Sequence, residues 1–332
     1  MTDPAAAAAT EEELRSLRAR LLELRERLGE ELIGQREVVD LLTITLMAGG
    51  HALLEGAPGL GKTTLVHGLA SGLHLEFARI QCTPDLMPSD VVGARILQLG
   101  EDGSRSFRFE PGPVFTQVLL ADEINRATPR TQSALLEAMA EGQVTVNGET
   151  RPLAQPFMVV ATQNPIEMEG TYPLPEAQLD RFMVKIGLEL PGREALAAIL
   201  RATVGARREA CEPVMTSAEL LRIQELVRLV PVDDALVDRV ARTVRATHPQ
   251  CEEAPEAVRS LVRHGASPRG AQALLIAAKA RALLAGRLAP DPDDLAALVG
   301  PTLGHRVVLG YEAEARGMNA AEVVRQALEA SA

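Results

Sequence analysis

The stretch that decides the fold reads Gly56-Ala57-Pro58-Gly59-Leu60-Gly61-Lys62-Thr63, and it matches the pattern G-x-x-x-x-G-K-[ST] at every fixed position. In this pattern the glycines let the backbone curl so that its N–H groups point at phosphate oxygens. The lysine, here Lys62, places a positive charge on the β- and γ-phosphates, and the hydroxyl of Thr63 is a ligand for Mg²⁺. The motif therefore predicts a loop that binds the phosphates of a nucleotide.

The residues on either side of this loop occur in the order that such a loop requires. Residues 51–55, His-Ala-Leu-Leu-Glu, predict a short buried strand before it, and residues 64–73 predict a helix after it. The N-terminus of that helix, where Thr64 lies, would face the bound anion and stabilise its charge. Strand, loop and helix together predict an α/β fold of the P-loop class.

Strand and helix patterns alternate between residues 31 and 190, which indicates an α/β core built on a parallel sheet. Four further strands are predicted at residues 77–81, 118–121, 157–162 and 183–186. The run at 118–121 is Val-Leu-Leu-Ala, without a polar position, and this predicts a strand that is buried on both faces.

Two inserted β-hairpins are predicted within this core. The first spans residues 95–109 and turns at Glu101-Asp102-Gly103. The second spans residues 143–153 and contains the turn dipeptide Asn147-Gly148, a strong signal for a two-residue hairpin loop. Such insertions are often surface features that carry function, and the alternative is a purely decorative insertion.

The two ends of the chain differ from the core. After Pro191-Gly192 the patterns predict only helices, so residues 191–332 are expected to form a smaller all-α lid domain. Residues 1–30 are expected to hold a disordered tail (1–9) and a charged helix whose N-cap is Thr10, in a capping box with Glu13. Leucines recur in this helix at helical spacing, at positions 14, 17, 21, 24 and 28. We favour packing of this stripe on the next domain over a coiled coil with another chain, because the heptad pattern is short.

The composition limits the classes of partner. The chain has 332 residues and a net charge of −11, which argues against a constitutive nucleic-acid binder, since such proteins usually carry a basic surface. No apolar run is long enough for a signal segment or a membrane span, so a cytoplasmic protein is expected. The three cysteines stand far apart and indicate neither a disulfide framework nor a zinc site.

An acidic pair follows the apolar strand at 118–121. Asp122 would hold Mg²⁺ opposite Thr63, and Glu123 would point at the γ-phosphate and polarise an attacking water. An Asp-Glu pair after a strand can also be a solvated turn, but its position one crossover after the phosphate loop favours a role in nucleotide hydrolysis.

Three further polar residues are candidates for the same chemistry. Asn164 follows the strand at 157–162 and would lie beside Asp122, where its side chain can bond the same water or phosphate. Arg181, in Leu-Asp-Arg-Phe, would reach a neighbouring subunit's nucleotide if it projects from the surface, and a helix-end salt bridge is the equal alternative. Arg269 begins a helix and would close onto the phosphates from above, although its pattern alone favours a surface arginine.

Taken together, these segments resemble the MoxR family of AAA+ ATPases over roughly residues 30–310. The resemblance is carried by the phosphate loop and by six other strings, which are IGQ at 33–35, TPDLMPSD at 83–90, LADEINRA at 120–127, TQSALLEAM at 131–139, ATQNP at 161–165 and GTYPLPEAQLDRF at 170–182.

This resemblance implies a role for each candidate. It implies Walker A at residues 56–63, Walker B at Asp122 and Glu123, sensor 1 at Asn164, the arginine finger at Arg181 and sensor 2 at Arg269. It places adenine at Ile33, Gly34 and Gln35, and identifies the hairpins as the helix-2 and pre-sensor-1 insertions. It further implies Mg-dependent hydrolysis of ATP to ADP, a hexameric ring of identical subunits, and chaperone-like remodelling of protein partners that often carry von Willebrand factor A domains.

Three other functions stay open at this point. A subunit of a metal-chelatase motor would share the same motifs, and a P-loop kinase would transfer phosphate to a small molecule. Glu123 directly after Asp122, and the arginine of Leu-Asp-Arg-Phe, favour hydrolysis over transfer. A nucleic-acid motor is disfavoured by the net charge.

Overall fold

The computed structural model describes residues 4–99, 105–165, 170–203 and 213–331. Its strands are β1 (Ala52–Gly56), β2 (Phe77–Gln81), β3 (Gly93–Leu99), β4 (Arg105–Pro111), β5 (Val118–Asp122), β6 (Gln143–Val146), β7 (Glu149–Pro152), β8 (Met158–Gln163), β9 (Val184–Leu188), β10 (Val262–His264) and β11 (Val308–Leu309). Its α-helices are α1 (Pro4–Glu31), α2 (Arg36–Met47), α3 (Lys62–Gly72), α4 (Pro88–Val92), α5 (Pro129–Glu141), α6 (Glu176–Leu179), α7 (Arg193–Thr203), α8 (Ser217–Leu229), α9 (Asp234–Ala246), α10 (Glu256–Leu261), α11 (Pro268–Ala285), α12 (Pro292–Leu303), α13 (Tyr311–Ala315) and α14 (Ala320–Ala330).

Five strands form a parallel sheet in the spatial order β2-β5-β8-β1-β9, which confirms the predicted α/β core. The predicted strands agree with the observed ones to within two residues, and residues 118–121 are fully buried as expected. Because all five strands run in the same direction, their C-terminal ends meet at one edge of the sheet. We call this the carboxyl edge and the opposite one the amino edge.

The sheet separates two apolar clusters. Leu54 of β1 and Leu120 of β5 face α1, α2, α3 and the helices after residue 213. Their neighbours Leu53 and Leu119 point to the other face and pack with α5. Alternation of side chains along each strand produces this division, and near-continuous apolar strands are the consequence of covering both faces.

Helix α1 begins earlier than the capping pattern predicted. It starts at Pro4, so Thr10 lies inside the helix and the predicted capping box and disordered residues 4–9 are wrong. Proline suits the first turn of a helix, and the alanines at 5–9 have the highest helix propensity, which outweighs the local capping preference of Thr10. Residues 1–3 lie outside the described part of the chain.

The leucine stripe of α1 packs on the rest of the molecule, as expected. Leu17, Leu21, Leu24 and Leu28 are all buried. Arg222 of α8 donates to both carboxylate oxygens of Glu13 at 2.9 and 3.1 Å, and Arg18 Nε donates to Leu284 O of α11 at 3.1 Å. Helix α1 therefore joins the sheet-bearing core to the helices that follow residue 213.

Both predicted hairpins are present. Strands β3 and β4 pair in antiparallel fashion, and the turn predicted at 101–103 lies outside the described residues. Strands β6 and β7 are joined by Asn147 (φ 52°) and Gly148 (φ 81°). Two successive residues with positive φ are the mark of the type I′ turn that Asn-Gly favours.

The C-terminal part of the chain is largely helical, as predicted. We call residues 213–331 the helical region. It also contains a two-stranded antiparallel sheet, β10–β11, that a helix-only prediction did not include. Strands of three and two residues are too short to leave a period-two pattern in the sequence. Among the described helices none has the length and apolarity to cross a membrane.

His51, at the start of β1, ties three elements of the core together. Its Nδ1 accepts a hydrogen bond from the N–H of Val159 at 3.0 Å, so Nε2 carries the proton and donates to Met139 O at 3.1 Å. Burial lowers its pKa from the ordinary 6.5 to about 4, a shift that the bond to Met139 opposes. In the helical region, burial likewise lowers the pKa of His305 to about 3.

These two histidines predict loss of stability in mild acid. Between the folded and unfolded pKa values only the unfolded chain binds the proton, so stability falls as the pH falls through this range. Going from pH 7 to pH 5 should lower the free energy of unfolding by about 2 kcal/mol for each histidine. Urea unfolding at both pH values measures this effect. His51→Gln should reduce the pH dependence, whereas the exposed control His264→Gln should not; an unchanged dependence in His51→Gln would contradict the assignment.

Candidate functional site

The phosphate loop leaves β1 at the carboxyl edge and turns into α3. Gly59 and Gly61 have φ of 85° and 81°, a region that side chains with a Cβ rarely adopt. Gly61 is the N-cap of α3 and has no side chain to cap it, so the first N–H groups of the helix are left for a ligand. Thr63 and Thr64 lie in this first turn. The loop thus fits an anion such as a phosphate group.

Lys62 is buried beneath the loop. Its Nζ donates to Gly56 O at 2.7 Å. Burial lowers the pKa of Lys62, while the negative charges of Asp122 and Glu123 oppose this shift. A phosphate bound in the loop would add further negative charge and stabilise the ammonium form.

Asp122 ends β5 at the carboxyl edge, with both carboxylate oxygens oriented by hydrogen bonds. Thr162 Oγ1 donates to one oxygen at 2.6 Å, and Arg79 Nη2 donates to the other at 2.7 Å. The carboxylate of Asp122 and the hydroxyl of Thr63 are hard oxygen donors, the type of ligand that Mg²⁺ prefers.

Glu123 has an unusual backbone. Its φ and ψ are 56° and 50°, the left-handed region, which costs a residue other than glycine about 1–3 kcal/mol. Its N–H donates to Thr162 Oγ1 at 2.9 Å, which helps to hold the strained conformation. The side chain accepts hydrogen bonds from Gln81 at 3.1 Å and from Arg126 at 3.3 Å. Strain of this kind concentrates at functional sites.

Asn164 lies directly after β8, the neighbour of β5 in the sheet. It is only 4% exposed. Thr162, two residues earlier, already contacts Asp122, so the structure brings Asn164 to the same edge as the acidic pair.

The segment Ile33-Gly34-Gln35 adjoins the phosphate loop. A Cβ on Gly61 would lie 3.1 Å from Leu32 Cδ1, and one on Gly34 (φ 85°) would lie 2.5 Å from Ala195 Cβ of α7. Gln35 is buried and donates to Glu189 O at 3.4 Å, and its Oε1 has no hydrogen-bond partner among the described residues. An orphaned buried acceptor suits the amino group of adenine, which is a hydrogen-bond donor.

Arg181 and Arg269 lie at the other edge of the sheet. Met183 N, two residues after Arg181, donates to His51 O at the amino ends of β1 and β9. The length of β1, about 15 Å for five residues, therefore separates Arg181 from the phosphate loop. Arg181 Nη1 donates to Leu136 O at 2.8 Å.

Arg269 lies away from the phosphate loop of its own chain. It is 57% exposed and forms an ion pair with Asp180 at 3.3 Å, next to Arg181. Ser267 is the N-cap of α11, the helix that carries Arg269, and its hydroxyl also donates to Asp180 at 2.9 Å. Both bonds anchor the start of α11 at the amino edge.

Sequence reasoning missed three polar residues of the site. Thr162 is the last residue of the strand predicted at 157–162, where a threonine is an ordinary strand former. Arg79 and Gln81 lie on β2, and their contact with the acidic pair depends on the pairing of β2 with β5. Gln81 is the polar last residue of the strand predicted at 77–81, and this position is the signal in the sequence that points to it.

Comparison with known proteins gives consistent similarities. Residues 51–184 match the ATPase family associated with various cellular activities (AAA), and residues 255–327 match the AAA lid domain. Chaperone MoxR1 of Mycobacterium tuberculosis is 42% identical over 298 residues, covering 90% of this chain and 78% of that protein. The uncharacterized protein YeaC of Bacillus subtilis is 44% identical over 308 residues, covering 92% of each. A crystal structure of a Cytophaga hutchinsonii protein, provisionally described as an ATPase, has a TM-score of 0.90 at 39% identity and covers 98% of both chains.

Proposed function

This chain belongs to the MoxR family of AAA+ ATPases, and we propose that it hydrolyses ATP at sites between the subunits of a homo-oligomeric ring, a hexamer, and so remodels partner proteins. The observation that carries this proposal is the placement of the phosphate loop and of Arg181 with Arg269 at opposite edges of one sheet. In this arrangement the arginines of one subunit can complete the nucleotide site formed by the phosphate loop of an identical neighbour.

Within one subunit, the residues at the carboxyl edge bind and activate the substrate. The phosphate loop and the first turn of α3 bind the ATP phosphates, with Lys62 on the β- and γ-phosphates, and Gln35 bonds the adenine. Thr63 and Asp122 would hold Mg²⁺, which would supply positive charge to stabilise the negative charge that develops on the phosphates. Glu123 accepts a proton from the attacking water. Asn164 orients that water or the γ-phosphate.

Across the subunit interface, the two arginines of the amino edge complete the neighbour's site. Arg181 exchanges its neutral acceptor, Leu136 O, for the γ-phosphate, whose charge attracts a guanidinium more strongly. Arg269 approaches the same phosphates from the same face, because Asp180 holds it beside Arg181. On this assignment Arg269 closes onto the phosphates of the neighbouring subunit.

The partner is a protein, of which one with a von Willebrand factor A domain is the first candidate. Support comes from the β3–β4 hairpin, which exposes Ile96, Leu97 and Phe107 by 46, 51 and 64% of their surface. Exposed apolar groups clustered on one element are typical of a protein-binding surface. The acidic net charge of −11 disfavours nucleic acid as the default client.

Trapping the ring with Glu123→Gln and ATP should capture this partner. We expect proteins with von Willebrand factor A domains to be enriched when the trapped ring is recovered from native lysate and analysed by mass spectrometry. Leu97→Ser combined with Phe107→Ser should weaken the capture at least tenfold, since it removes two of the three large exposed apolar side chains of the hairpin, which pair across its strands. The matched control is Tyr311→Ser, which removes a large exposed side chain on α13 (86% exposed). Enrichment of DNA or RNA without protein would contradict the proposal.

A further inference from the structure

Arg306 is the only arginine with a buried side chain among the described residues, being 7% exposed. It follows α12 and uses all five of its N–H donors. Nε donates to Asp180 Oδ1 at 2.8 Å, and Nη2 donates to Asp180 O at 3.1 Å and to Phe182 O at 2.8 Å. Nη1 donates to Met183 O at 3.1 Å and to Thr302 O.

Four of these five bonds end in the segment 180–183, which carries Arg181. Arg306 thereby fixes the main chain on both sides of Arg181, while the Arg181 side chain itself extends to Leu136 O. His305 adds a bond from Nε2 to Phe182 O at 3.0 Å. The position of Arg181 is therefore determined by a side chain of the helical region as well as by the core.

The carboxylate of Asp180 extends this arrangement to Arg269. Besides Arg306 it accepts a hydrogen bond from Ser267 at 2.9 Å and pairs with Arg269 at 3.3 Å. One carboxylate thus links the segment that carries Arg181 to Arg269, and Arg306 is the buried cation that holds this carboxylate in place.

Burying an arginine is a weak way to gain stability. Burial lowers the pKa of Arg306, and the hydrogen bond and charge of Asp180 oppose that shift. Ion pairs taken out of water are often no more stable than apolar residues of similar volume. An apolar residue could not donate hydrogen bonds to the four acceptors in residues 180–183, so it could not fix the geometry of the segment that carries Arg181.

We propose that Arg306 is a positioning residue for ATP hydrolysis in the neighbouring subunit, because it holds Arg181 and Arg269 in one arrangement at the interface. The inference rests on the proposed function of Arg181. Arg306 itself does not contact the nucleotide, and its replacement should affect hydrolysis in the site of the adjacent subunit.

The test uses Arg306→Lys in the full-length ring. Lysine keeps the positive charge but cannot reach five acceptors with a rigid fork. We expect the kcat of ATP hydrolysis to fall by about 10²-fold, the effect of misplacing a catalytic group by about 1 Å, with the dissociation constant for ATP unchanged. Mixing Arg306→Lys with Glu123→Gln subunits should restore activity, because the Arg306→Lys subunit keeps its own Lys62 and Glu123 and receives intact arginines from its neighbour.

Two further variants make the outcome decisive. Arg287→Lys is the matched control, since Arg287 pairs with the buried Asp294 in the helical region at 2.6 Å, away from residues 180–183; its kcat should not change. Asp180→Asn removes the shared charge and should reproduce the loss of kcat if Arg306→Lys does not fold.

An unchanged kcat in a folded Arg306→Lys ring would overturn the inference, as would a loss that mixing does not restore. Failure of both Arg306→Lys and Asp180→Asn to form folded rings would also overturn it, since the cluster would then be structural. If mixing does not restore the activity of Arg181→Ala itself, the proposed role of Arg181 is wrong. This outcome distinguishes a failure of the proposed function from a failure of the inference about Arg306.

Discussion

Replacing Arg181 by alanine is expected to lower the turnover of ATP by about 10³–10⁵-fold, the range of an arginine that stabilises the transition-state charge of phosphoryl transfer. ATP binding should persist, because the phosphate loop, Lys62 and Gln35 lie at the opposite edge of the sheet. Steady-state hydrolysis and the binding of a fluorescent ATP analogue measure the two effects separately.

The defect of Arg181→Ala should act between subunits. Mixed with Glu123→Gln, it should regain part of its activity, since one kind of interface then combines an intact Glu123 with an intact Arg181. Arg242→Ala is the control, because Arg242 forms an exposed ion pair with Asp238 on α9. Rings that assemble normally and stay inactive in every mixture would contradict the role of Arg181 in the neighbouring site.

Replacing Glu123 by glutamine is expected to lower turnover by about 10²–10⁴-fold, the contribution of a positioned general base. The amide keeps the size of the side chain and can still bond Gln81 and Arg126, so the affinity for ATP should not change. Lys62→Ala, in contrast, should abolish ATP binding, because the proposed contact of Lys62 with the phosphates forms in the ground state.

Calorimetric titration with ATP, together with single-turnover hydrolysis, distinguishes the roles of Glu123 and Lys62. Asp293→Asn is the matched control for loss of one carboxylate, since Asp293 is exposed in the first turn of α12. An equal loss of ATP affinity in Glu123→Gln and Lys62→Ala would show that the separate roles of binding and catalysis are wrong.

The carboxyl edge of the fold was accessible to sequence reasoning. The phosphate loop and the acidic pair are each defined by a few consecutive residues, and the apolar strands before them are nearly continuous. Their local pattern therefore predicts both their structure and their meeting at one edge, which the parallel sheet confirms. The start of α1 was missed because helix propensity over residues 5–9 outweighed a single capping signal.

The arrangement of residues at the amino edge could not be predicted from the sequence in the same way. Arg306 occurs in the string Gly-His-Arg-Val, which has no recognisable motif. Its contacts with residues 180–183 span more than 120 positions of the chain, so no local pattern reports them. The place of Arg269 at the amino edge could not be predicted for the same reason, because the position of α11 depends on how the helical region packs against the core.

On the proposed function, the distance across the sheet between the phosphate loop and Arg181 would link ATP consumption to protein concentration. A subunit released from the ring would keep a nucleotide-binding loop but lack the arginines of a neighbour, so it would bind ATP without hydrolysing it. We therefore expect specific activity to rise with concentration until the rings are complete, and dilution to lower it reversibly. A cell that makes few copies of this chain would then lose almost no ATP to it.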